Sequence, residues 1–562
     1  MYRFGERELR VLAVIPARGG SKGIRKKNIR FVAGKPLIYY PIVAAQQSKY
    51  VDSVYVTSDD EIILRIAKLF GAAIIKRPPE LATDDVTLDP VVYHAVNEAE
   101  NNSATRYDIV ITLQPTTPLI TAQDIDNAIE MLIKENYDTI IFALDATHLY
   151  WINTSGEWRP LLSKRVNRQY LPKIARELGV VITWRKYVRK DSRFGPRIGL
   201  YLVSQDKGVD IDTPTDLMIA EALLQRYNIL FIVDGRRETG LGHIYRCLTL
   251  AERFHGHRII FLTNGRLGVE LIGKMGYTVN MINDLDEVVK YLSTMKFDIV
   301  VNDILDTSEP YMKLLRENTS AVIVNFEDLG EGAKYADLVF NALYEFSSPP
   351  PKHYYGYKYF ILRDEFRLFP IKEYDSNVRL RTLTIIFGGV DQNNLTMKTL
   401  RALEKLNFKN ININVIVGPG YIYLDVLREY VNEMLKKGYR IELYSSPSFI
   451  ADIIRSSELV VTSNGRTLYE VISYAIPAIS IAQNERELRH PLVYVNKGIK
   501  FLGLANRIDE DDIANAIEQF VLKPELLVKA NRILIPYAKD IRRGIKRVLR
   551  IILDEVIERG ED

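Results

Sequence analysis

One cysteine, Cys247, stands in 562 residues, so the chain has no internal disulfide and no cysteine-built zinc site, as suits a reducing cytoplasm. Histidine is scarce too. There are seven, none paired at ligand spacing on a plausible helix, which argues against a histidine-built metal centre. No apolar run approaches the roughly 18–20 residues of a membrane span, and the charged start (Arg3, Glu6, Arg7, Glu8, Arg10) is unlike a secretory leader. The net charge of +4 is small for this length and gives no ground for a nucleic-acid polymer or a membrane as partner. Internal repeats and low-complexity segments are also missing. What remains is 47% hydrophobic and 26% charged, the composition of a soluble globular chain long enough for three or four packing units.

The most informative stretch is Val11 to Ile29, VLAVIPARGGSKGIRKKNI. Val11 to Ile15 reads as a buried strand that breaks at Pro16 into a loop. That loop carries Ala17, Arg18, Gly19, Gly20, Ser21, Lys22 and Gly23, followed by Arg25, Lys26, Lys27 and Asn28. Adjacent glycines let backbone approach an oxyanion closely, while Arg18 and Lys22 add positive charge and Ser21 a donor. Strand, glycine-rich basic loop and helix is an arrangement that holds nucleotide phosphates. The spacing is neither that of a P-loop nor the Rossmann glycine pattern.

Downstream, the pattern predicts a helix over Pro36 to Gln47, a strand over 53–57, a helix over 62–70 and a strand over 73–76. Such alternation predicts a mostly parallel sheet covered on both faces, with ligands beyond the carboxyl ends of its strands. Two proline-stiffened loops follow: RPPELATDD, with Arg77, Ala82 and Asp84, and ITLQPTTPL, with Gln114, whose amide suits a base or sugar edge. Near residue 210, GVDIDTPTDL sets Asp210 and Asp212 on one face of an extended segment, where two carboxylates can share Mg²⁺. Thr213, Pro214 and Asp216 read as the capped start of a helix.

In this order the motifs closely resemble those of the CMP-sialic acid synthetases (acylneuraminate cytidylyltransferases), with Arg25 where that family often has Pro. The resemblance implies a nucleotidyltransferase domain over residues 1–226 with a Rossmann-like sheet. It implies that Ala17, Arg18, Gly19, Ser21, Lys22, Asn28, Arg77, Ala82, Asp84 and Gln114 bind CTP. Arg18 and Lys22 would be catalytic, and Asp210 and Asp212 would bind the metal and act in catalysis. In NRQYLPKIARELGVV, Arg168 and Arg176 would pair with the carboxylate of the sugar acid, with Gln114 also on the substrate. Leu178 stands where many members have Asn, which points to a nonulosonic acid other than sialic acid. The implied reaction is attack by the anomeric hydroxyl on the α-phosphorus of CTP, with release of pyrophosphate. No residue pattern marks a dedicated general base. The family's tendency to dimerise would place a homodimer contact in this domain.

From Tyr227 the pattern restarts with a new strand. DGRRETGLGHIYRCLTLAERF places Gly240, Gly242 and His243 at a strand-to-helix turn, with Cys247 on the apolar face of the helix. A histidine there is suited to proton transfer near neutrality. The stretch resembles the nucleotide-sugar hydrolase of pseudaminic acid synthesis and its spore-coat relatives, which have a GT-B fold. The resemblance implies lobes over 227–372 and 373–562, a linker near Phe369–Asn377, and His243 acting on the water that attacks a UDP-linked sugar, beside Gly242. Asp303 and Asp328 would close strands, and RDEF (Arg363 to Phe366) is a further matching motif. Gly388 and Gly389 would cradle phosphate. Ser463, Asn464 and Gly465 would bind nucleotide, with Glu470 accepting from ribose hydroxyls and Asn484 facing the substrate. A basic amphipathic helix, 540–559, would cross back over the first lobe with its charges in solvent. The whole reads as a cytoplasmic bifunctional enzyme of small-molecule substrates, CTP with a nonulosonic acid and a UDP-diacetamido-trideoxyhexose. Its rivals make the second half a glycosyltransferase or a non-catalytic nucleotide-sugar-binding module.

Overall fold

The computed structural model describes the chain apart from Met1, Gly5, Glu6, Ser21, Lys22, residues 237–240 and Asp562. It divides into two compact units, Met1–Arg226 and Tyr227–Asp562.

The first unit is built on a seven-stranded sheet. Its strand order is Ile198–Val203, Thr139–Asp145, Ala175–Trp184, Ile109–Leu113, Val11–Pro16, Ser53–Ser58 and Ala73–Lys76. Only Ala175–Trp184 runs antiparallel to its neighbours, so the sheet is mostly parallel, as the alternation predicts. Val11–Pro16 is buried at every position, which is why its sequence is continuously apolar rather than alternating. The chain leaves this strand for Ser53–Ser58 on one side and returns to Ile109–Leu113 on the other. The loops after Pro16 and Leu113 therefore flank the point where the winding reverses, the crevice in which such sheets bind ligands.

One local expectation is corrected. The helix read from Pro36 starts at Tyr39, because Lys35–Pro36 pairs with Phe31–Val32 in a small hairpin. Ala33 and Gly34 turn it with φ of 47° and 77°, the pair of positive values that a tight two-residue turn demands.

The second unit holds two all-parallel sheets. The first has the order Thr278–Met281, Arg258–Thr263, Asn228–Val233, Ile299–Asp303, Val322–Phe326, Leu338–Asn341 and His353–Tyr355. The second runs Arg440–Ser445, Asn412–Val417, Thr382–Ile386, Leu459–Ser463, Ala478–Ala482 and Ile499–Leu504. Each reverses its winding once, the first between Asn228–Val233 and Ile299–Asp303, the second between Thr382–Ile386 and Leu459–Ser463. Two such lobes with a terminal helix returning to the first form the GT-B architecture.

The expected single terminal helix is two. Glu525–Ile541 packs on the second lobe's core, and Gly544–Glu561 buries Ile545, Val548, Ile552 and Val556 among Ile229, Phe231 and Val301 of the first. The break falls at Arg542 and Arg543, and glycine opens the second helix where two backbones approach closely. A Cβ on Gly544 would lie 2.2 Å from the carbonyl oxygen of Phe360. Nor are all its charges solvated: Glu555 is buried and pairs with Lys352 at 2.6 Å, and Arg559 pairs with Asp337.

Two candidate active sites

In the first unit, four segments meet at the reversal point. The loop after Pro16 is tied down by Gly19 N–H donating to Asp59 (3.0 Å), Arg18 to Asp84 (2.7 Å) and the Asn28 amide to the Arg18 carbonyl (2.8 Å). Asn28 is thus buried under the loop and braces it. Lys27 Nζ reaches the Ile211 carbonyl at 2.7 Å and Asp212 at 3.2 Å. A Cβ on Gly23 would come within 2.6 Å of the Asp212 carbonyl, so glycine is required where the loop docks on the acidic segment. Ile211 N–H donates to the Thr116 carbonyl at 2.8 Å, which draws in the Gln114 loop. Gln114 itself lies against Gly179, where an added Cβ would stand 2.8 Å away. The expected site residues Ser21 and Lys22 lie outside the described residues, as does Gly240.

Arg77 is buried at 4% exposure. One guanidinium nitrogen donates to the Thr57 carbonyl at 2.9 Å, and its Nε has no partner among the described residues. Burial pushes it down to about 10, with Arg18 assisting and Asp59 opposing. A buried arginine with spare donors beside a basic loop is suited to an anion. Ala82 ends the short turn Pro79–Leu81, and Asp84 is the partner of Arg18.

Asp210 is pushed up by burial, with Thr116 lowering it and the Asp212 charge raising it further. One oxygen from each of two neighbouring carboxylates is a third of the six that Mg²⁺ takes, with substrate phosphates and water completing the shell. The donor set fits that ion; no group of three acidic, histidine or cysteine side chains is placed for a metal among the described residues. Asp216 caps Pro214–Leu224 with Thr213 in a reciprocal capping box, and Arg176 donates to the Gly208 carbonyl at 2.7 Å, next to Asp210. Arg168 stands on an exposed turn and donates to the Thr147 carbonyl at 3.1 Å. Leu178 is part of the core, as an apolar replacement for an amide dictates.

In the second unit a cavity of about 680 Å³ lies between the lobes at the two reversal points. The first lobe contributes Gly242, His243, Tyr245, Arg246 and Glu327; the second contributes Gly388, Gly389, Ser463, Gly465, Arg466, Glu470, Asn484 and Glu487. Gly242 and His243 open the helix Gly242–Ala251. His243 Nδ1 is 2.5 Å from Asp303 at the end of the adjacent strand, and Arg246, one turn on, grips both Asp303 oxygens at 2.7 and 2.6 Å. Burial would raise the Asp303 carboxyl, but the charges of Arg246 and His243 outweigh it and hold it well below the usual range. An ionised carboxylate only accepts, so Nδ1 carries the proton and Nε2 is the ring nitrogen able to accept one.

Across the cleft, Gly388 has φ of 79°, a turn that a Cβ would strain. A Cβ on Gly389 would strike Leu241 at 2.9 Å, so the two glycines bring backbone against the His243 loop. Glu470 is expected to be open to ribose; instead Arg363 holds it through two bonds of 2.8 and 3.0 Å. Each oxygen keeps a further lone pair for a ligand. Asn464 is fully buried beside the cavity, and its amide donates to the Glu487 carbonyl at 2.7 Å, which holds the turn. Asn484 lines the cavity while capping the short helix Glu485–Leu488. Asp328 lies two residues beyond the end of its strand, where it binds Thr307, Asn325 and the Gly330 N–H. Sequence reasoning misses Arg246, Glu327, Arg466 and Glu487. For Arg246 a signal exists: a charge three residues from His243 within an otherwise apolar helical run.

A family model described as cytidylyltransferase matches residues 12–159. Post-translational flagellin modification protein B of Campylobacter coli is 30% identical over 227 residues, which cover 39% of this chain and 97% of that protein. An uncharacterized Methanocaldococcus jannaschii protein, MJ1062, is 33% identical over 277 residues; the match covers 46% of this chain and spans 56% of that relative's length. A Helicobacter pylori protein is 24% identical over 502 residues, 85% of this chain and 89% of its own. That protein is described as a pseudaminic acid cytidylyltransferase and UDP-2,4-diacetamido-2,4,6-trideoxy-β-L-altropyranose hydrolase.

Proposed function

The chain belongs to the cytidylyltransferase family, and from that premise we propose that it is a bifunctional sugar-nucleotide enzyme. Its first unit would join CMP to a nonulosonic acid, and its second would hydrolyse a UDP-diacetamido-trideoxyhexose. The observation that carries the reading is that a proton-accepting histidine, His243, faces a nucleotide-sized cavity in a chain whose first unit gathers its basic loop and acidic pair at one crevice.

In the first unit Arg18 and Arg77 hold the triphosphate of CTP, with Lys22 and Ser21 on the same loop. Gln114 reads an edge of the base or sugar, and Arg176 meets the carboxylate of the acid. The hydroxyl on the anomeric carbon attacks the α-phosphorus, the bond to the β-phosphate oxygen breaks, and pyrophosphate leaves. Alignment and charge neutralisation account for most of the acceleration. Asp210 and Asp212 would hold Mg²⁺, which supplies neutralisation of charge on the α-phosphate.

In the second unit the diphosphate of the UDP-sugar lies on the glycine turns at Gly388, Gly389 and Gly465, with ribose hydroxyls donating to Glu470. His243 Nε2 takes a proton from water as its oxygen attacks the anomeric carbon. The bond from that carbon to the phosphate oxygen breaks, and its electron pair leaves with UDP. Asp303 steadies the imidazolium so formed, and Arg246 keeps Asp303 charged. We place the enzyme in the cytoplasm, as a dimer through its first unit, with neither nucleic acid nor membrane as partner.

The test follows pyrophosphate release from CTP and Mg²⁺ against sialic, legionaminic, pseudaminic and ketodeoxy acids, with Asp210→Ala/Asp212→Ala as control. Turnover of one nonulosonic acid, abolished in the control, is expected; binding of CTP without turnover of any acid would sink the first half. For the second half, UDP and free sugar are expected from the UDP-sugar, with loss in His243→Ala. Transfer of the sugar to an acceptor in place of water would make this unit a glycosyltransferase.

A further inference from the structure

Glu327 is a buried charge of the second unit that the mechanism above leaves without a task. It is 3% exposed, lines the cavity and stands just past the end of the strand Val322–Phe326. Its backbone has φ of 51°, the left-handed region that a long side chain rarely adopts. The turn is pinned on both sides. Glu327 N–H donates to the Phe340 carbonyl at 2.9 Å, its own carbonyl accepts from Arg486 at 2.7 Å, and the neighbouring Asp328 side chain binds Thr307 and Asn325 at 2.6 Å each. Strain kept in place by its surroundings is a mark of functional positions.

The carboxylate is also under-satisfied. Among the described residues it has two bonds, both long: 3.3 Å from Arg246 and 3.4 Å from the Leu343 N–H. The other carboxylates of the cavity are better held: Glu470 at 2.8 and 3.0 Å, Asp391 by two backbone N–H groups at 2.9 Å, Glu487 by the Gln483 N–H at 2.8 Å. A charge-assisted bond normally sits near 2.7–2.9 Å, so Glu327 has acceptor capacity to spare, and burial correspondingly raises its carboxyl above the ordinary range. The chemistry of its surroundings selects the partner. A carboxylate repels phosphate, whose place is at the glycine turns, and the neighbouring cavity wall is Leu305, Leu343 and Tyr344. That wall suits a neutral group with apolar substituents and N–H or O–H donors.

We propose that Glu327 is a sugar-binding residue of the second unit, its carboxylate accepting a hydrogen bond from an N–H or O–H donor of the hexose beside His243. This rests on the reading of the cleft as a UDP-sugar site. It predicts that the residue contributes to the sugar and not to the nucleotide. Calorimetric titration of the full chain with UDP and with a UDP-2,4-diacetamido-2,4,6-trideoxyhexose separates the two. In Glu327→Ala the Kd for UDP is expected to stay within about twofold of wild type, while that for the UDP-sugar rises at least tenfold. Glu327→Gln, which keeps an oxygen acceptor and the side-chain volume, should raise the UDP-sugar Kd by about threefold, and it carries the comparison if the alanine variant does not fold. Equal weakening of both ligands, or an unchanged UDP-sugar Kd in both variants, would overturn the proposal. Wild-type protein that binds UDP but no UDP-sugar would instead remove the reading on which it rests, and the proposal with it.

Discussion

At the scale of single residues, the hydrolysis proposed for the second unit requires Asp303 to stay ionised in a fully buried position. Arg246 makes that possible, and the pair must be broken to see its worth. Asp303→Asn is expected to reduce UDP-sugar hydrolysis at least 100-fold and to destabilise the unit by roughly 3–5 kcal/mol, because Arg246 is left buried with no charged partner nearer than Glu327 at 3.3 Å. Chemical denaturation and steady-state kinetics measure the two effects separately. The sign with pH follows from the lowered carboxyl: Asp303 contributes stability above the ordinary carboxylate range, and that contribution is lost as pH falls through and below it.

Two neighbours on the second lobe have opposing linkage. Burial raises Glu487 to about 7 and lowers His490 to about 4. Between about pH 4.5 and 7 the folded chain holds a proton on Glu487 that the unfolded chain has released, so stability falls as pH rises. Between about pH 4 and 6.5 the unfolded chain holds a proton on His490 that the folded chain does not, so stability rises. The two slopes largely cancel in wild type. Glu487→Gln should therefore convert a nearly flat stability profile between about pH 4.5 and 6.5 into a rising one, read by melting temperature across that range. None of this was legible in the sequence. Glu487 and His490 look like ordinary surface residues of a polar loop until the fold closes over their charged ends, and the charge of Arg246 in its apolar helical run has no visible partner until Asp303, 57 positions away, is brought to it. By contrast, the place of His243 at a helix start and of Gly388 in a turn was legible, because short-range backbone geometry sets both positions.

At the scale of elements, periodicity and turn residues located most of what surrounds the sites. Val11–Pro16, Ser53–Ser58 and Ala73–Lys76 lie within a residue of their expected bounds because each is a short apolar run closed by a polar turn. The errors have local causes. The hairpin turned at Ala33–Gly34 took Pro36, the expected first residue of the helix, and the terminal helix broke at Arg542–Arg543, ahead of the close approach of Gly544 to Phe360; the first is a turn signal passed over, the second lies where a tertiary contact that no local pattern encodes is made. The terminal helix allows a direct test. Ile545, Val548, Ile552 and Val556 are each under 10% exposed, and burying such side chains contributes about 1.5–3 kcal/mol apiece. Removing Gly544–Glu561 should cost roughly 6–12 kcal/mol, about the whole stability of an ordinary domain. Calorimetry of the truncated chain should show the second unit's transition lost and the first unit's retained.

At the scale of the whole molecule, each unit has its own sheets, core and crevice, and only Gln225 to Tyr227 separates the helix Pro214–Leu224 from the strand that begins the second unit at Asn228. Residues 1–226 and 227–562, produced as separate proteins, are expected to retain cytidylyl transfer and UDP-sugar hydrolysis respectively, each within about threefold of the intact chain. Loss of either activity on separation would show that one unit depends on the other. The restart of strand and loop chemistry at Tyr227 made this division readable. Which side chains cross between the lobes of the second unit was not, since pairs such as Arg486 with Asp306 join positions far apart in the chain.

The returning helix also sets an order of assembly. The first unit has all of its strands and helices once residue 226 has been synthesised, so it can fold on the ribosome as a unit. The lobe that begins at Asn228 cannot, because the helix that seals its core starts at Gly544, about 300 residues later. For that interval its apolar face is open, and the second lobe must be made before the first is finished. A nascent chain stalled short of residue 544 would carry one finished machine and one that is still waiting for its last piece.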